Sequence, residues 1–259
     1  MIAATSARTA SLRDFVALVK PRITMLVVFT TAGGLWLAPV RAGARTTVFT
    51  LLGTVLIVAA ANVLNMYLER DSDALMTRTM RRPLPAGRMD PQVALRFGLV
   101  LAAISVPLLT FAVGAVPGAI PPLIGWTAAT ERLDLPGVLL FAVMFLWQVP
   151  HFLAITLFRK EDYARAGLVV QPNEPGGEAE ARRNIVRYTV ALVFVSLLFV
   201  PLRLGGTLYL FTALLAGGGF LACGLAGLRK GAGAKWARSE FSASLVYLTV
   251  LFGTLMLGR

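Results

Sequence analysis

Asn62-Val-Leu-Asn65-Met-Tyr-Leu-Glu69-Arg70-Asp71-Ser-Asp73-Ala-Leu-Met-Thr-Arg78-Thr-Met-Arg81-Arg82-Pro83-Leu-Pro85-Ala-Gly87-Arg88 follows a long apolar run, where a membrane helix would leave the bilayer. Asn65, Glu69 and Asp73 are spaced i, i+4, i+8, which puts them on one face of a continuing helix. Asn62 lies one turn earlier on roughly the same face. Three oxygen-bearing side chains on one stripe suit a hard cation such as Mg2+. Arg70, Arg78, Arg81, Arg82 and Arg88 interleave or follow. Acids that hold a metal, beside arginines that hold phosphate oxygens, describe a diphosphate site. The plain alternative is a charged loop that only fixes topology, since such loops are the rule between membrane helices. The spacing, with the Arg-Pro-Leu-Pro-Ala-Gly-Arg run, favours the site.

The composition agrees with a membrane setting. The 259 residues are 57% hydrophobic and the mean hydropathy is +0.73, more apolar than a soluble domain. Several uncharged windows are about 17–24 residues long, the length that crosses a bilayer. The expected class is an all-α polytopic membrane protein. The formal net charge of +12 does not signal nucleic acid. With the N-terminus cytoplasmic, the inner segments 8–22, 70–96, 159–187 and 229–238 hold twenty of the twenty-five Lys and Arg. Arg41, Arg45, Arg132, Arg203 and Arg259 fall outside, as the positive-inside rule expects. The lone cysteine, Cys223, can form no internal disulfide. Residues 1–22 read as a cytoplasmic tail with an amphipathic piece at Leu12–Val19, lacking the apolar core of a cleaved signal peptide. Residues 23–259 read as one transmembrane domain.

Helices are expected at about Ile23–Pro39, Thr46–Tyr67, from Pro91, and at about Pro136–Phe158, Tyr188–Leu202, Leu208–Leu228 and Phe241–Leu257, with Glu178–Arg187 as a polar helix start on the inner face. The stretch 93–130 is the irregular one. It carries Pro107, Pro117, Pro121 and Pro122 and is too long for one straight crossing. Charge parity requires an odd number of crossings between Arg96 and Glu131, and three cannot fit. One crossing is therefore expected, kinked at its prolines, with Gly114–Thr130 as a half-helix buried in the bundle. That makes about seven crossings, or eight helical pieces.

The pattern Asn65-x3-Glu69-Arg-Asp-x-Asp73-Ala-Leu-Met-x-Arg78-Thr, continued by Arg-Arg-Pro-Leu-Pro-Ala-Gly-Arg88, resembles the first motif of the protohaem IX farnesyltransferases (haem O synthases) of the UbiA superfamily of intramembrane prenyltransferases. That family often has Asp where Glu69 stands. Lys20-Pro21-Arg22, Gly118–Trp126, and His151-Phe-x-Ala followed by Asp162-Tyr-x-x-Ala-Gly167 are similar to the same family. Two departures stand out. A helix and a basic inner loop that the family carries before Gly118 are absent, where the family usually has nine helices. After Gly167 a Pro-Met-Leu-Pro type run is replaced by Leu168-Val-Val-Gln-Pro172.

The resemblance implies a UbiA-like bundle in the cell (inner) membrane that moves a farnesyl group from farnesyl diphosphate to the vinyl group of haem b, giving haem O and diphosphate. One or two Mg2+ ions would be placed by Asn65, Glu69, Asp73 and, from the second loop, Asp162, the residues expected to be catalytic. Arg70, Arg78, Arg81, Arg82 and Lys160 are the expected diphosphate partners. His151, the only histidine, is either a haem contact, as iron ligand or propionate orienter, or a hydrogen-bonded structural residue. Phe145, Trp147 and Phe152 are candidates for a dry wall around the prenyl cation. Besides the bilayer, the family implies haem A synthase or terminal-oxidase assembly factors as partners. Three other readings stay open: a UbiA-type enzyme with another acceptor, a non-catalytic truncated relative, and a transporter. Paired inverted repeats that would support a transporter are not found.

Overall fold

Helix-forming apolar runs and the demand that hydrocarbon makes on backbone polar groups leave this chain one solution, a helical bundle. The computed structural model describes residues 10–112, 121–229 and 231–257. Among them are eleven α-helices: α1 (Leu12–Val19), α2 (Pro21–Leu37), α3 (Ala44–Leu68), α4 (Arg70–Leu75), α5 (Pro91–Pro107), α6 (Pro121–Thr130), α7 (Leu135–Phe158), α8 (Lys160–Arg165), α9 (Gly177–Leu197), α10 (Thr207–Ala226) and α11 (Ala234–Leu257). Prolines at 21, 91 and 136 stand in the first turns of α2, α5 and α7, where no amide hydrogen is missed. Asp90 caps α5 by accepting from the Gln92 amide at 2.7 Å.

Five helices are long and apolar enough to cross a membrane, and the bent pair α1–α2 makes a sixth. The eight pieces read from the sequence correspond to α2, α3, α5, α6, α7, α9, α10 and α11. α9 joins the polar helix start at Glu178–Arg187 to the apolar run from Tyr188, and α11 starts at Ala234, before the expected Phe241, because its first turns are polar. α5 ends in a π-helical turn at Leu108–Ala112, just after Pro107. The half-helix is present as α6, and its expected beginning, 114–120, lies outside the described residues. At 1.5 Å per residue, α6 is only about 15 Å long, half a bilayer core.

α6 is held by backbone contact with α2. A Cβ on Gly34 would collide with the Pro122 carbonyl oxygen, and a Cβ on Gly125 with the carbonyl oxygen of Thr31. Only glycine at both places allows this approach. Thr31–Leu35 lie in the half of α2 remote from Pro21, so α6 fills the end of the bundle away from the acidic loops. Trp126 of α6 is buried and packs on Gly137 of α7.

The second half of the bundle, α7 and α9–α11, shares a core of Trp147, Phe199, Tyr209, Phe220, Tyr247 and Phe252. Ser196 joins three helices: its hydroxyl pairs with Tyr247 Oη at 2.7 Å, and its carbonyl accepts from Tyr209 Oη at 2.7 Å. Such bonds and close apolar packing hold helices together where lipid offers no hydrophobic drive.

The piece at Leu12–Val19 is not a trailing tail. α1 packs Leu18 and Phe15 against Val63 and Met66 of α3, Ala94 and Phe97 of α5, and Leu84 and Met89 of the first loop. Gly125→Val is expected to separate α2 from α6 and cost about 2 kcal/mol by overpacking. Gly218→Ala, where a Cβ meets nothing within 4 Å, is expected to be neutral or to stabilise α10 by up to about 1 kcal/mol. Thermal unfolding in detergent measures both.

Candidate active site

The stripe read from the sequence survives the break between α3 and α4. The Glu69 amide donates to the Asn65 carbonyl at 2.9 Å, and the Asp73 amide to the Glu69 carbonyl at 2.8 Å. The i→i+4 ladder therefore carries all three side chains on one face. Asn65 and Glu69 are exposed, while Asp73 is only 2% exposed. Asp73 Oδ2 accepts from Arg82 Nη1 at 2.6 Å, and its carbonyl accepts from Thr79 Oγ1 at 2.8 Å. Asn62 reaches a different target, the Val19 carbonyl, with Nδ2 at 3.4 Å.

The Arg-Pro-Leu-Pro-Ala-Gly-Arg run folds back as successive turns. The Ala86 amide bonds to the Arg82 carbonyl at 3.0 Å and the Arg88 amide to the Pro83 carbonyl at 2.9 Å. Gly87 has φ +65°, a value that disfavours a side chain. Arg88 closes the run onto α1: Nε donates to Asp14 Oδ1 at 2.9 Å. Ser11 and Asp14 form the capping box of α1. The Ser11 hydroxyl, followed by Arg88, holds the Asp14 carboxyl below the usual aspartate value.

The second loop reaches the first. Thr77 Oγ1 donates to Asp162 Oδ1 at 2.8 Å, and Arg165 bonds the same oxygen. Arg159 Nη1 lies 3.4 Å from Oδ2. Asp162 is 5% exposed. Burial pushes its pKa up, but Thr77, Arg165 and Arg159 outweigh this and leave it below the ordinary value of 3.8.

The remaining residues named from the sequence are distributed as follows. Arg78 and Arg81 are exposed, and the Arg81 carbonyl accepts from Arg88 Nη1 at 3.1 Å. Arg70 turns to the Tyr67 carbonyl at 2.8 Å, and its guanidinium lies over the Tyr67 ring. Lys160 turns away from Asp162 to Glu178 Oε2, 3.0 Å distant, stapling α8 to α9. Lys160 and Arg182 keep the Glu178 carboxyl below its usual range despite partial burial. His151 stacks on Trp147, with Nδ1 2.7 Å from Ser244 Oγ of α11. Phe152 and Phe145 are exposed, whereas Trp147 is buried and donates to the Ser244 carbonyl at 2.7 Å.

Four groups at this end were not read as site residues. Arg159 and Arg165 hold Asp162, and the i, i+3 spacing of Asp162 and Arg165 was a usable signal. Thr77 joins loops 85 positions apart, so no local pattern marks it. Lys20, at φ 47° between α1 and α2, lies within electrostatic reach of Arg82, Glu69, Asp73 and Arg78. Beside Lys20 an apolar slot of about 620 Å³ begins at Val19 and Pro21 and runs between α2 and α3 past Val28, Leu56 and Ala59 to Ala32.

The donors at this end are all oxygens: one amide and three carboxylates. Among the described residues no three acidic, His or Cys side chains converge as a ready cage. An all-oxygen donor set is the kind Mg2+ takes, usually one or two carboxylates together with substrate phosphates. Asn65, Glu69, Asp73 and Asp162 are the residues that would hold it.

The UbiA prenyltransferase family model matches residues 26–113 and 107–246. The chain belongs to that family. The two matched segments overlap at residues 107–113, next to the π-helical turn at Leu108–Ala112. The chain is 48% identical to "Protoheme IX farnesyltransferase" of Sorangium cellulosum, covering 90% of this chain and 100% of the relative. It is 47% identical to the protein of that name from Myxococcus xanthus, over 95% and 94%. A third, from Anaeromyxobacter dehalogenans, is 44% identical over 295 positions that cover 100% of this chain and 99% of the relative. Set against 259 residues, that alignment leaves about 36 positions of the relative without a counterpart. Two solved structures share the UbiA fold. A digeranylgeranylglyceryl phosphate synthase aligns with TM-score 0.77 at 16% identity over 95% of this chain and 98% of its own. A UbiA homolog from Archaeoglobus fulgidus bound to GPP and Mg2+ aligns with TM-score 0.61 at 14% identity over 93% and 99%.

Asp14, Asp162 and Glu178 all have lowered pKa values. For a depressed carboxyl, stability is present above the unfolded pKa and is lost as pH falls through the folded one. The loop contacts are therefore expected to persist at about pH 5 and to open only below the ordinary aspartate value of 3.8. Hydrogen exchange of the Thr77–Arg88 and Lys160–Ala166 amides against pH checks this.

Proposed function

We propose that this chain transfers the farnesyl group of farnesyl diphosphate to a vinyl group of protohaem IX (haem b), making haem O and releasing diphosphate. One observation carries the reading: Asp162 of the second loop is bonded to Thr77 of the first, the loop that carries Asp73, and each of the two aspartates is paired with arginine. Relatives 44–48% identical bear the farnesyltransferase name.

The allylic C–O bond breaks as negative charge builds on the departing diphosphate. Bound Mg2+ would supply Lewis-acid neutralisation of that charge. Arg82 on Asp73, and Arg159 and Arg165 on Asp162, bring fixed positive charge to this end of the bundle, which preorganised groups apply without reorganising during the reaction. Exposed Arg78 and Arg81 extend the cationic rim. The slot beside Lys20 offers the farnesyl chain an apolar bed, with Val19 and Pro21 at its head. Keeping water from the allylic cation until the vinyl carbon attacks requires such a lining. The resulting cation beside the porphyrin takes up water and loses a proton, leaving the hydroxyethylfarnesyl group. His151 engages Ser244 only through Nδ1, so Nε2 is the atom that would meet haem iron or a propionate. The Lys and Arg bias supports a cytoplasmic side for the two loops and the N-terminus in the cell membrane.

The shortfall of about 36 positions favours one second reading, a non-catalytic relative. The two are separated in cells lacking their own haem O synthase. Haem O is expected in extracts of cells expressing this chain, with a loss of at least roughly 100-fold for Asp73→Asn or Asp162→Asn. A well-inserted, stable protein that yields no haem O would establish the non-catalytic reading.

A further inference from the structure

The first motif leaves position 77 open, yet the side-chain hydrogen bonds joining the two loops among the described residues all run through Thr77. Its hydroxyl donates to Asp162 Oδ1 at 2.8 Å, and the same oxygen lies 3.5 Å from Arg165 Nη2. We infer that Thr77 is a positioning residue that sets Asp162 of the second loop against the Asp73 stripe so that the two loops bind Mg2+ and diphosphate together. This inference rests on the diphosphate reading above.

The geometry supports an orienting role rather than a merely adhesive one. Asp162 sits on the short α8, beyond the end of α7, and α8 has no capping side chain to fix it. Its two oxygens are held unequally. Oδ1 has Thr77 and Arg165, whereas Oδ2 has only Arg159 at 3.4 Å. Thr77 pins one oxygen to the first loop and thereby sets the direction of the other. Thr77 itself follows the α4 cap at Met76 and precedes Thr79, whose hydroxyl is locked to the Asp73 carbonyl. Asp73 lies in the last turn of α4, so a shift of Asp73 is passed through the end of that helix and its cap, Met76, to the partner of Asp162. Valine has the shape of threonine without the hydroxyl, and it removes the link with little change in volume. Serine keeps the link. A hydrogen bond to a charged carboxylate has the strength to shift an equilibrium roughly tenfold.

The test uses the full chain in lipid nanodiscs and a non-transferable probe, farnesyl S-thiolodiphosphate, with binding followed by calorimetry as Mg2+ is titrated. Thr77→Val is expected to raise the Mg2+ concentration for half-maximal binding roughly tenfold, and Thr77→Ser to return it to within about twofold of the native chain. In an Asp162→Asn background, Thr77→Val should add nothing, since the two act as one unit. Native Mg2+ dependence in Thr77→Val, equal weakening by Val and Ser, or additive effects with Asp162→Asn would each overturn the inference. Should Thr77→Val fail to fold, Thr77→Ala is read by the same criteria. If the native chain binds the probe without any dependence on Mg2+, the diphosphate reading itself fails, a result distinct from an unaffected Thr77 variant.

Discussion

The approach of α2 and α6 at Gly34 and Gly125 is the constraint on which the bundle depends. Two helices whose backbones touch need no long side chains to fix their distance, and a ten-residue piece can be seated as firmly as a full crossing. α6 cannot span a bilayer, so its place is set by its neighbours: α2 along one side and α7 through Trp126 and Gly137 along another. It fills the end opposite the loops. The charged end is left to α1, the first loop and α8, which no crossing helix has to interrupt.

At that charged end each aspartate is already neutralised by the chain's own guanidinium groups. Asp73 has Arg82, and Asp162 has Arg165 and Arg159. Buried carboxylates without such partners would carry a large desolvation cost. The arginines therefore serve folding and remain where a multiply charged anion would meet them. Lys160, chosen from its place beside Asp162, shows the opposite arrangement: its partner Glu178 lies on the next helix, and it ties α8 to α9.

Much of this was legible in the residues. Apolar run length and charge parity placed the apolar parts of the helices and required the half-helix, because both are physical demands of the bilayer on a linear chain. The Asn65, Glu69, Asp73 stripe was legible because helical periodicity is local, and the backbone ladder continues through Glu69. The start of α9 was legible as a polar helix start at Glu178–Arg187, whereas the polar first turns of α11, from Ala234, were missed because hydropathy marks only the apolar part of a helix. Partner choice was not legible. Whether Lys160, Arg159 or Arg165 meets Asp162 depends on rotation about the end of α7. The union of Thr77 with Asp162, or of Asp14 with Arg88, depends on packing between segments far apart in the chain. The part of α1 in the folded unit was visible only as amphipathicity, which does not say what the apolar face will meet.

The strut from Asp14 to Arg88 bears on the order in which the protein is made. Most of what shapes the first loop lies before the end of α5: α1, the Asp73–Arg82 pair, the turns around Gly87, and the apolar floor of Leu84 and Met89 with Ala94 and Phe97. The second loop reaches its partner only after α7 has emerged, 85 positions beyond Thr77. An emerging chain folds its early segments first. The first half of the site is thus a self-supporting template, complete while the ribosome is still delivering the helices that will carry the other half to it.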